Sequence, residues 1–255
     1  MRDQQADLHF HALPGLDDGP ATLDESIELI RAAQAEGTTR VVATPHVRSD
    51  FVTDVSDLHE RVRELRSAVG AAGLGVAVRP GGELGHDMVG RLGQRELDSI
   101  AQGPPGARWL LLETPFEGME DDFHDAAAEL RDRGFGIVVA HPERSADAQL
   151  DGSAGLRRQI AAGAGAQVNA QSITGAHGPA ARTAALKLVG EGLVTILGSD
   201  AHGPTRPPLL AQARRELAQA GLGGAGGCRA LTMTGPLSLL ARGLTPAQPG
   251  SLLVA

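Results

Sequence analysis

Seven short apolar runs alternate with amphipathic segments along the 255-residue chain. The runs are rich in Val, Ile, Leu and Ala, which is typical of strands buried in a parallel sheet. The segments between them repeat apolar residues every three or four positions, as the helices of a βα-repeating protein do. Strands are therefore predicted at residues 7–11, 40–44, 75–79, 108–113, 136–140, 166–169 and 194–198.

The segments between the strands carry recognisable helix signals. Thr22 and Glu25 have the spacing of a capping box at the start of the first helix. The final helix should be interrupted near Pro236, because proline has no N–H and clashes with the preceding turn. Helices are predicted at residues 22–36, 54–72, 121–133, 153–162, 179–190, 207–220 and 227–243.

Polar residues close almost every apolar run. Six of the seven runs end in His, Glu or Asp, whereas the sixth run ends in the neutral residues Asn169 and Gln171. An open doubly wound sheet and a closed barrel both fit the alternation of strands and helices. In a barrel the carboxyl ends of the strands share one rim, so that distant residues converge there. We therefore predict one α/β barrel domain over residues 1–255, with its site at that rim.

The residues at these strand ends have the chemistry of metal ligands. His9 and His11 are two positions apart on one strand, as are Asp200 and His202, so each pair can face one ion. A set of imidazoles and carboxylates without thiolates suits Zn, Mn or Fe. Because the candidates outnumber the ligands of one tetrahedral ion, two or three bridged divalent ions are predicted. The further candidates are His46, Glu83, Glu113, His141 and one of Asp17 and Asp18.

Composition and charge exclude several function classes. The 31 acidic and 23 basic residues give a net charge of −8, which argues against binding to nucleic acid or an anionic membrane through bulk charge. Aromatic residues make up 2% of the chain, too few for the stacking platforms that bind single strands. One cysteine excludes a disulfide framework. With no signal-peptide core and no long apolar stretch, a cytoplasmic protein without membrane insertion is expected.

Motifs in a fixed order connect this chain with a known family. DLHFHALPGLDDG, ATPH, GGE, LLLETPF, AHPER, QVNAQSITG and SDAH together resemble the PHP (polymerase and histidinol phosphatase) superfamily. Within it they resemble the CpsB/CapC-type manganese-dependent protein tyrosine phosphatases of bacteria. The motifs run from residue 7 to about residue 208, which is most of the chain. An isolated HxH is shared with amidohydrolases, but the ordered set is specific.

The resemblance implies a distorted (β/α)7 barrel and a site of two or three divalent ions, manganese first, with Zn, Fe or Mg as alternatives. The family uses the second Asp of its DDG motif, which selects Asp18. Arg144 and Arg206 match family arginines that hold the phosphate, and we assign them, with Asp200, to catalysis. The implied ligands are His9, His11, Asp18, His46, Glu83, Glu113, His141, Asp200 and His202. The other four histidines are expected to be bystanders: His59, His86, His124 and His177.

The implied activity is hydrolysis of phosphotyrosine on a bacterial tyrosine kinase that controls capsule or exopolysaccharide assembly. One alternative is another phosphoesterase of the superfamily, either a histidinol-phosphate phosphatase or a nuclease. The acidic balance and the scarce aromatics weigh against the nuclease. A second alternative is a metal-dependent amidohydrolase. Such barrels commonly need a lysine at a strand end, whereas the only lysine here, Lys187, falls in a predicted helix.

Overall fold

A computed structural model of the chain describes residues 4–150, 152–222 and 227–246. Within these residues, nine strands correspond to the seven predicted runs, because the second and third runs each continue as a second short strand. The strands are β1 Gln5–Phe10, β2 Thr38–Ala43, β3 His46–Val47, β4 Ala77–Pro80, β5 Glu83–Leu84, β6 Trp109–Glu113, β7 Gly136–Ala140, β8 Gly165–Asn169 and β9 Ile196–Gly198. They pair in parallel, in the orders β1-β2-β4 and β3-β5-β6-β7-β8-β9.

The two divided runs break at proline and glycine. Pro45 separates β2 from β3, since it cannot donate a ladder hydrogen bond. Gly81 and Gly82 separate β4 from β5 at a point where the backbone lies very close to its neighbour. A Cβ on Gly81 would lie only 2.5 Å from Cγ1 of Val42, so the close approach requires glycine. Beyond these breaks, β3 and β5 pair with each other and lead into β6.

The last strand run returns to the first. The main-chain N–H of Asp200 donates to the carbonyl of His9 at 2.9 Å, and that of His11 donates to Ala201 at 3.0 Å. The N–H of Ser199 also donates to the Asp7 carboxylate at 3.1 Å. The segment after β9 therefore lies beside β1, and the strand runs follow one another in chain order around a distorted α/β barrel.

All seven predicted helices are present, with shifted ends in most cases. Thr22 caps the first as predicted, since its hydroxyl accepts from the N–H of Glu25 at 3.3 Å. The second begins at Leu58 instead of Asp54, and three helices of five to seven residues, α3, α5 and α7, were not predicted. The helices are α1 Leu23–Ala35, α2 Leu58–Ala71, α3 Gln94–Ile100, α4 Asp121–Asp132, α5 Ala146–Leu150, α6 Ala154–Ala161, α7 Ala170–Thr174, α8 Pro179–Gly190, α9 Leu210–Gln219 and α10 Gly235–Arg242.

The last helix of the described residues, α10, packs at the end of the barrel where the strands begin. A π-helical turn, Ala230–Thr234, precedes α10 and accounts for the predicted interruption near Pro236. The indole of Trp109, the first residue of β6, is fully buried and donates to the carbonyl of Leu239 at 3.1 Å. The polar residues at the carboxyl ends of the strands lie at the opposite end of the barrel. Among the described helices, none has the length and apolar character needed to cross a bilayer.

Candidate metal centre

The carboxyl ends of the strands bring all nine predicted ligand residues into one connected cluster. His9 lies on β1 and His11 follows it, while His46 and Glu83 are register partners that open β3 and β5. Asp18 is in the loop after β1. The other four end or follow β6, β7 and β9: Glu113, His141, Asp200 and His202. Apart from Asp18, all of them are buried.

Two imidazoles and two carboxylates converge at the first part of the cluster. Nε2 of His9 and Nε2 of His11 are 3.2 Å apart. Oε2 of Glu83 lies 3.1 Å from the His9 nitrogen and 3.3 Å from the His11 nitrogen. Oδ1 of Asp200 lies 3.4 Å from both nitrogens. These four atoms therefore surround one point from several sides, as ligands of an ion do.

Glu83 connects this group to the rest of the cluster. Its Oε1 lies 2.7 Å from Nε2 of His141, and its Oε2 lies 3.0 Å from Nδ1 of His46. With His9 and His11, four imidazole rings surround one carboxylate. A carboxylate with both oxygens facing ligand nitrogens is suited to bridging two cations.

A second group lies at the more open side. Oδ1 of Asp18 is 3.0 Å from Nε2 of His202 and 3.4 Å from Nε2 of His46. Oε2 of Glu113 is 3.7 Å from Nδ1 of His46. The ring of His11 stacks on that of His202 with 3.7 Å between centroids, which joins the two groups.

Buried acceptors fix the orientation of the first two histidines. Nδ1 of His9 lies 2.8 Å from Oε1 of Gln167, and Nδ1 of His11 lies 2.7 Å from Oδ2 of Asp17. Each partner oxygen accepts a hydrogen bond from Nδ1–H, so in the neutral form of each ring the lone pair of Nε2 faces the cluster. Asp17 therefore contacts the outer side of a candidate ligand, while its neighbour Asp18 faces the cluster.

The donor set consists of imidazole nitrogens and carboxylate oxygens, and with the imidazoles neutral it fits divalent cations. Nδ1 of His202 lies 2.9 Å from the main-chain oxygen of Asp200, which again leaves Nε2 as an acceptor. Oε2 of Glu83, Oδ1 of Asp200 and Nε2 of His202 are buried without a hydrogen-bond partner among the described residues. Buried acceptors that face one another repel unless a cation lies between them.

In the metal-free protein, the pKa values of the clustered groups also favour positive charge beside the carboxylates. Burial would lower the pKa of His46, but the nearby carboxylates of Glu83 and Asp18 raise it to about 12. Burial would raise the pKa of Glu83, yet His9 and His46 hold it well below its ordinary value. Protons on the imidazoles thus balance the ionised carboxylates. A metal ion must displace these protons, so its binding releases them.

Two of the clustered residues have a left-handed backbone. His141 has φ 36° and Asp200 has φ 53°, although neither is glycine. Such a conformation costs on the order of 1–3 kcal/mol and is found most often at functional sites. At both positions it directs a side chain from a strand end into the cluster.

The two predicted phosphate-binding arginines lie at the edge of the cluster. Nη2 of Arg206 is 2.7 Å from Oδ2 of Asp200, and its Nη1 is 3.3 Å from Oδ2 of Asp18. Nη1 of Arg144 is 3.2 Å from the same Asp200 oxygen, which also accepts from Asn169 at 2.7 Å. Both guanidinium groups are partly exposed, so an anion in solution can reach them.

Sequence reasoning missed Arg48 and two aromatic side chains beside the cluster. Nη1 of Arg48 lies 2.8 Å from Oε1 of Glu113. Phe51 stacks on His46 with 5.1 Å between ring centroids, and the guanidinium of Arg144 lies 4.8 Å from the ring centroid of Phe116. Arg48 is two residues after His46, the same spacing that identified the HxH pair, and this signal could have found it.

Of the four expected bystander histidines, His177 lies near the cluster. Its Nδ1 is 3.0 Å from Oγ of Ser172, which donates to the buried carboxylate of Glu143 at 2.7 Å. Its Nε2 is buried without a partner among the described residues. Burial, together with the positive charges of Arg144 and Arg206, lowers the pKa of His177 to about 4. Nothing in its local sequence distinguishes it from a loop residue.

The low pKa of His177 predicts a measurable contribution to stability. An unfolded histidine titrates near pH 6.5, so between about pH 4 and pH 6.5 only the unfolded chain binds this proton. Stability should therefore fall as the pH is lowered through that window. From about pH 7.5 to about pH 5, metal-free wild type should lose roughly 1–2 kcal/mol more than His177→Gln, since solvent partly screens this half-buried ring. Urea unfolding at both pH values tests this, and equal losses in the two proteins would contradict it.

The other three histidines lie outside the cluster. His59 is on the exposed side of α2, where its Nε2 lies 2.8 Å from the carbonyl of Ser99. His124 is buried in α4. His86 lines a cavity beside the cluster and lies 3.2 Å from Asp122.

The chain resembles known proteins over most of its length. The sequence model of the family "Capsular polysaccharide synthesis, CpsB/CapC" matches residues 5–240. CapC of Staphylococcus aureus is 30% identical over 207 residues, covering 80% of this chain and 79% of CapC. The tyrosine-protein phosphatase YwqE of Bacillus subtilis is 29% identical over 199 residues, covering 77% of this chain and 76% of YwqE.

Solved structures extend the comparison to the fold. A chain from the crystal structures of Bacillus subtilis YwqE and Streptococcus pneumoniae CpsB, described as metal-dependent tyrosine phosphatases, superposes with a TM-score of 0.79. It is 25% identical, and the match covers 96% of this chain and 100% of that one. A phosphotriesterase homology protein from Escherichia coli has a TM-score of 0.58 at 15% identity, with 92% and 98% covered. That likeness concerns the barrel fold alone.

Proposed function

Because the chain belongs to the CpsB/CapC family of capsular polysaccharide synthesis proteins, we propose that it is a metal-dependent phosphatase that hydrolyses phosphotyrosine in proteins. One observation carries the proposal. Four imidazole rings surround the buried Glu83 carboxylate, and two arginines meet the adjacent Asp200 at the solvent edge. A buried carboxylate and imidazole centre that fits cations, next to partly exposed guanidinium groups, suits a phosphate ester better than a neutral amide. The names of YwqE and its relatives support phosphotyrosine as the substrate.

The proposed ligands are the nine clustered side chains, and the proposed cofactor is two or three divalent ions, with manganese first and Zn, Fe or Mg as alternatives. Bound divalent ions lower the pKa of water, which supplies a nucleophile near neutral pH, and they neutralise phosphoryl oxygens. The chain orients the ligands through Gln167 and Asp17, whose oxygens hold His9 and His11 with Nε2 facing inward.

Arg144 and Arg206 are proposed to bind the phosphoryl group. A guanidinium matches two phosphoryl oxygens with parallel N–H donors and keeps its charge at every physiological pH. Both arginines donate to one oxygen of Asp200, which aligns them toward the centre before substrate arrives. As charge accumulates on the phosphoryl oxygens during attack, donors already in place stabilise it without reorganisation.

The proposed physiological substrate is phosphotyrosine on a bacterial tyrosine kinase that controls capsule or exopolysaccharide assembly. This follows the family resemblance and the capsule context of the family. The proposed location of the phosphatase is the cytoplasm. The amidohydrolase alternative has less support, because the only lysine, Lys187, lies on the exposed side of α8 and not at a strand end.

Turnover of four substrates by one purified preparation tests the proposal. Manganese-loaded protein should hydrolyse a phosphotyrosine peptide with a kcat/KM at least about tenfold above that for the matching phosphoserine peptide, histidinol phosphate or single-stranded DNA. Treatment with EDTA should abolish this activity, and added Mn²⁺ should restore it. Preference for histidinol phosphate or DNA, or full activity without metal, would overturn the proposal.

A further inference from the structure

A cavity of about 460 Å³ opens beside the candidate metal centre. Glu113, one of the clustered carboxylates, lines it together with Arg48 and Phe116. Its volume falls in the range of pockets that hold small organic groups. The cavity therefore borders the cluster at Glu113, and its lining residue Phe116 contacts Arg144, one of the two proposed phosphate-binding arginines. It has room for the group that carries the phosphate.

Phe116 is an unusual residue in this chain. The residue is 52% exposed, whereas the other phenylalanines of the described chain, apart from Phe51, are fully buried or nearly so. Exposing a large apolar ring forgoes the free energy of burial, and this chain has only five Phe and one Trp. The exposed ring also packs against the guanidinium of Arg144, 4.8 Å from the ring centroid.

From this geometry we infer that Phe116 is a specificity-determining residue whose ring packs against the aryl ring of the substrate. The inference rests on the proposed function and adds to it. Arg144 would hold the phosphoryl group, and in an aryl phosphate the ring is only one ester oxygen away from phosphorus. A ring leaving Arg144 toward the cavity meets Phe116, and aromatic pairs attract each other beyond their buried area. The side chain of phosphoserine is too short to make this contact.

Two non-hydrolysable ligands separate the ring contact from catalysis. Benzylphosphonate and ethylphosphonate carry the same anionic group, and only the first has an aryl ring. Calorimetry of the manganese-loaded wild type should show tighter binding of benzylphosphonate. In Phe116→Leu, which keeps an apolar side chain below Arg144, this preference should fall about fivefold, while ethylphosphonate binding should stay unchanged. The KM for a phosphotyrosine peptide should rise by the same factor with little change in kcat.

Phe51→Leu is the matched control. Phe51 is also partly exposed and also stacks on a clustered residue, but it does not line the cavity. Its variant should keep the preference for benzylphosphonate. The inference is overturned if Phe116→Leu keeps the wild-type preference, if it loses affinity for both phosphonates equally, or if Phe51→Leu has the same effect. A wild type that prefers benzylphosphonate but does not hydrolyse phosphotyrosine would refute the proposed function and leave the ring site standing.

Discussion

Glu83→Gln should lower kcat/KM for a phosphotyrosine peptide by a factor on the order of 10³ and remove most of the bound divalent metal. Glutamine keeps the shape of the side chain but loses its charge, and its NH₂ group would face imidazole nitrogens that need a cation. Four imidazoles contact this one carboxylate, so no other single change should disturb as many ligands. Metal per chain by mass spectrometry and steady-state kinetics measure the two effects.

Glu113→Gln is the comparison for this variant. Glu113 carries the same carboxylate, but it contacts only His46 among the clustered residues, at 3.7 Å, and is paired with Arg48. Its variant should lose only about tenfold in kcat/KM. Urea unfolding of both metal-free variants establishes that they fold. A folded Glu83→Gln protein that keeps its metal and its activity would contradict the assignment of Glu83 as a metal ligand.

Arg206→Ala should lower kcat/KM by about 10²- to 10³-fold while metal content stays near that of wild type. We expect kcat/KM to fall because the Arg206 guanidinium no longer stabilises the negative charge that develops on the phosphoryl oxygens. Metal should remain, because Oδ2 of Asp200 keeps Arg144 and Asn169 as partners. Removing a positive charge from beside the ligands also reduces its repulsion of bound cations.

Arg182→Ala is the control variant, because it removes an arginine that lies outside the cluster. Arg182 forms a partly exposed ion pair with Glu216 on helices α8 and α9, so its variant should keep full activity. Loss of metal from Arg206→Ala would give Arg206 a different role. Its contacts with Asp18 and Asp200 would then serve to position the ligands and not to bind the phosphoryl group.

Much of the fold and the cluster was predictable from local pattern. The apolar runs marked the strands because strands buried on both faces are continuously apolar. The ends of those runs marked the ligands, since parallel strands in a barrel deliver their carboxyl ends to one rim. Thus the strand pattern alone placed His9 and Asp200 together although they are far apart in the chain, and their ligand atoms lie 3.4 Å apart.

What escaped prediction depends on tertiary contacts. Helices α5 and α7 have only five residues each, too few to display helical periodicity. The position of His177 beside the cluster follows from its hydrogen bond to Ser172, and loop packing of this kind has no sequence signature. Asp17 and Asp18 have different roles because the turn that carries them directs their side chains differently. Asp17 contacts Nδ1 of His11, on the outer side of that ring, whereas Asp18 contacts Nε2 of His202 inside the cluster. Spacing alone could not separate two adjacent aspartates.

The return of the last strand run to β1 sets an order of events for the newly made chain. Asp7 and Ser199, which join these elements, are 192 positions apart, so the join forms only after nearly the whole barrel has been synthesised. Until then His9 lacks Gln167 and Asp200, and the centre is incomplete. The nascent chain therefore cannot assemble the full donor set early. The full donor set would therefore be open to metal only after ring closure, and metal bound there would hold the two ends of the ring together.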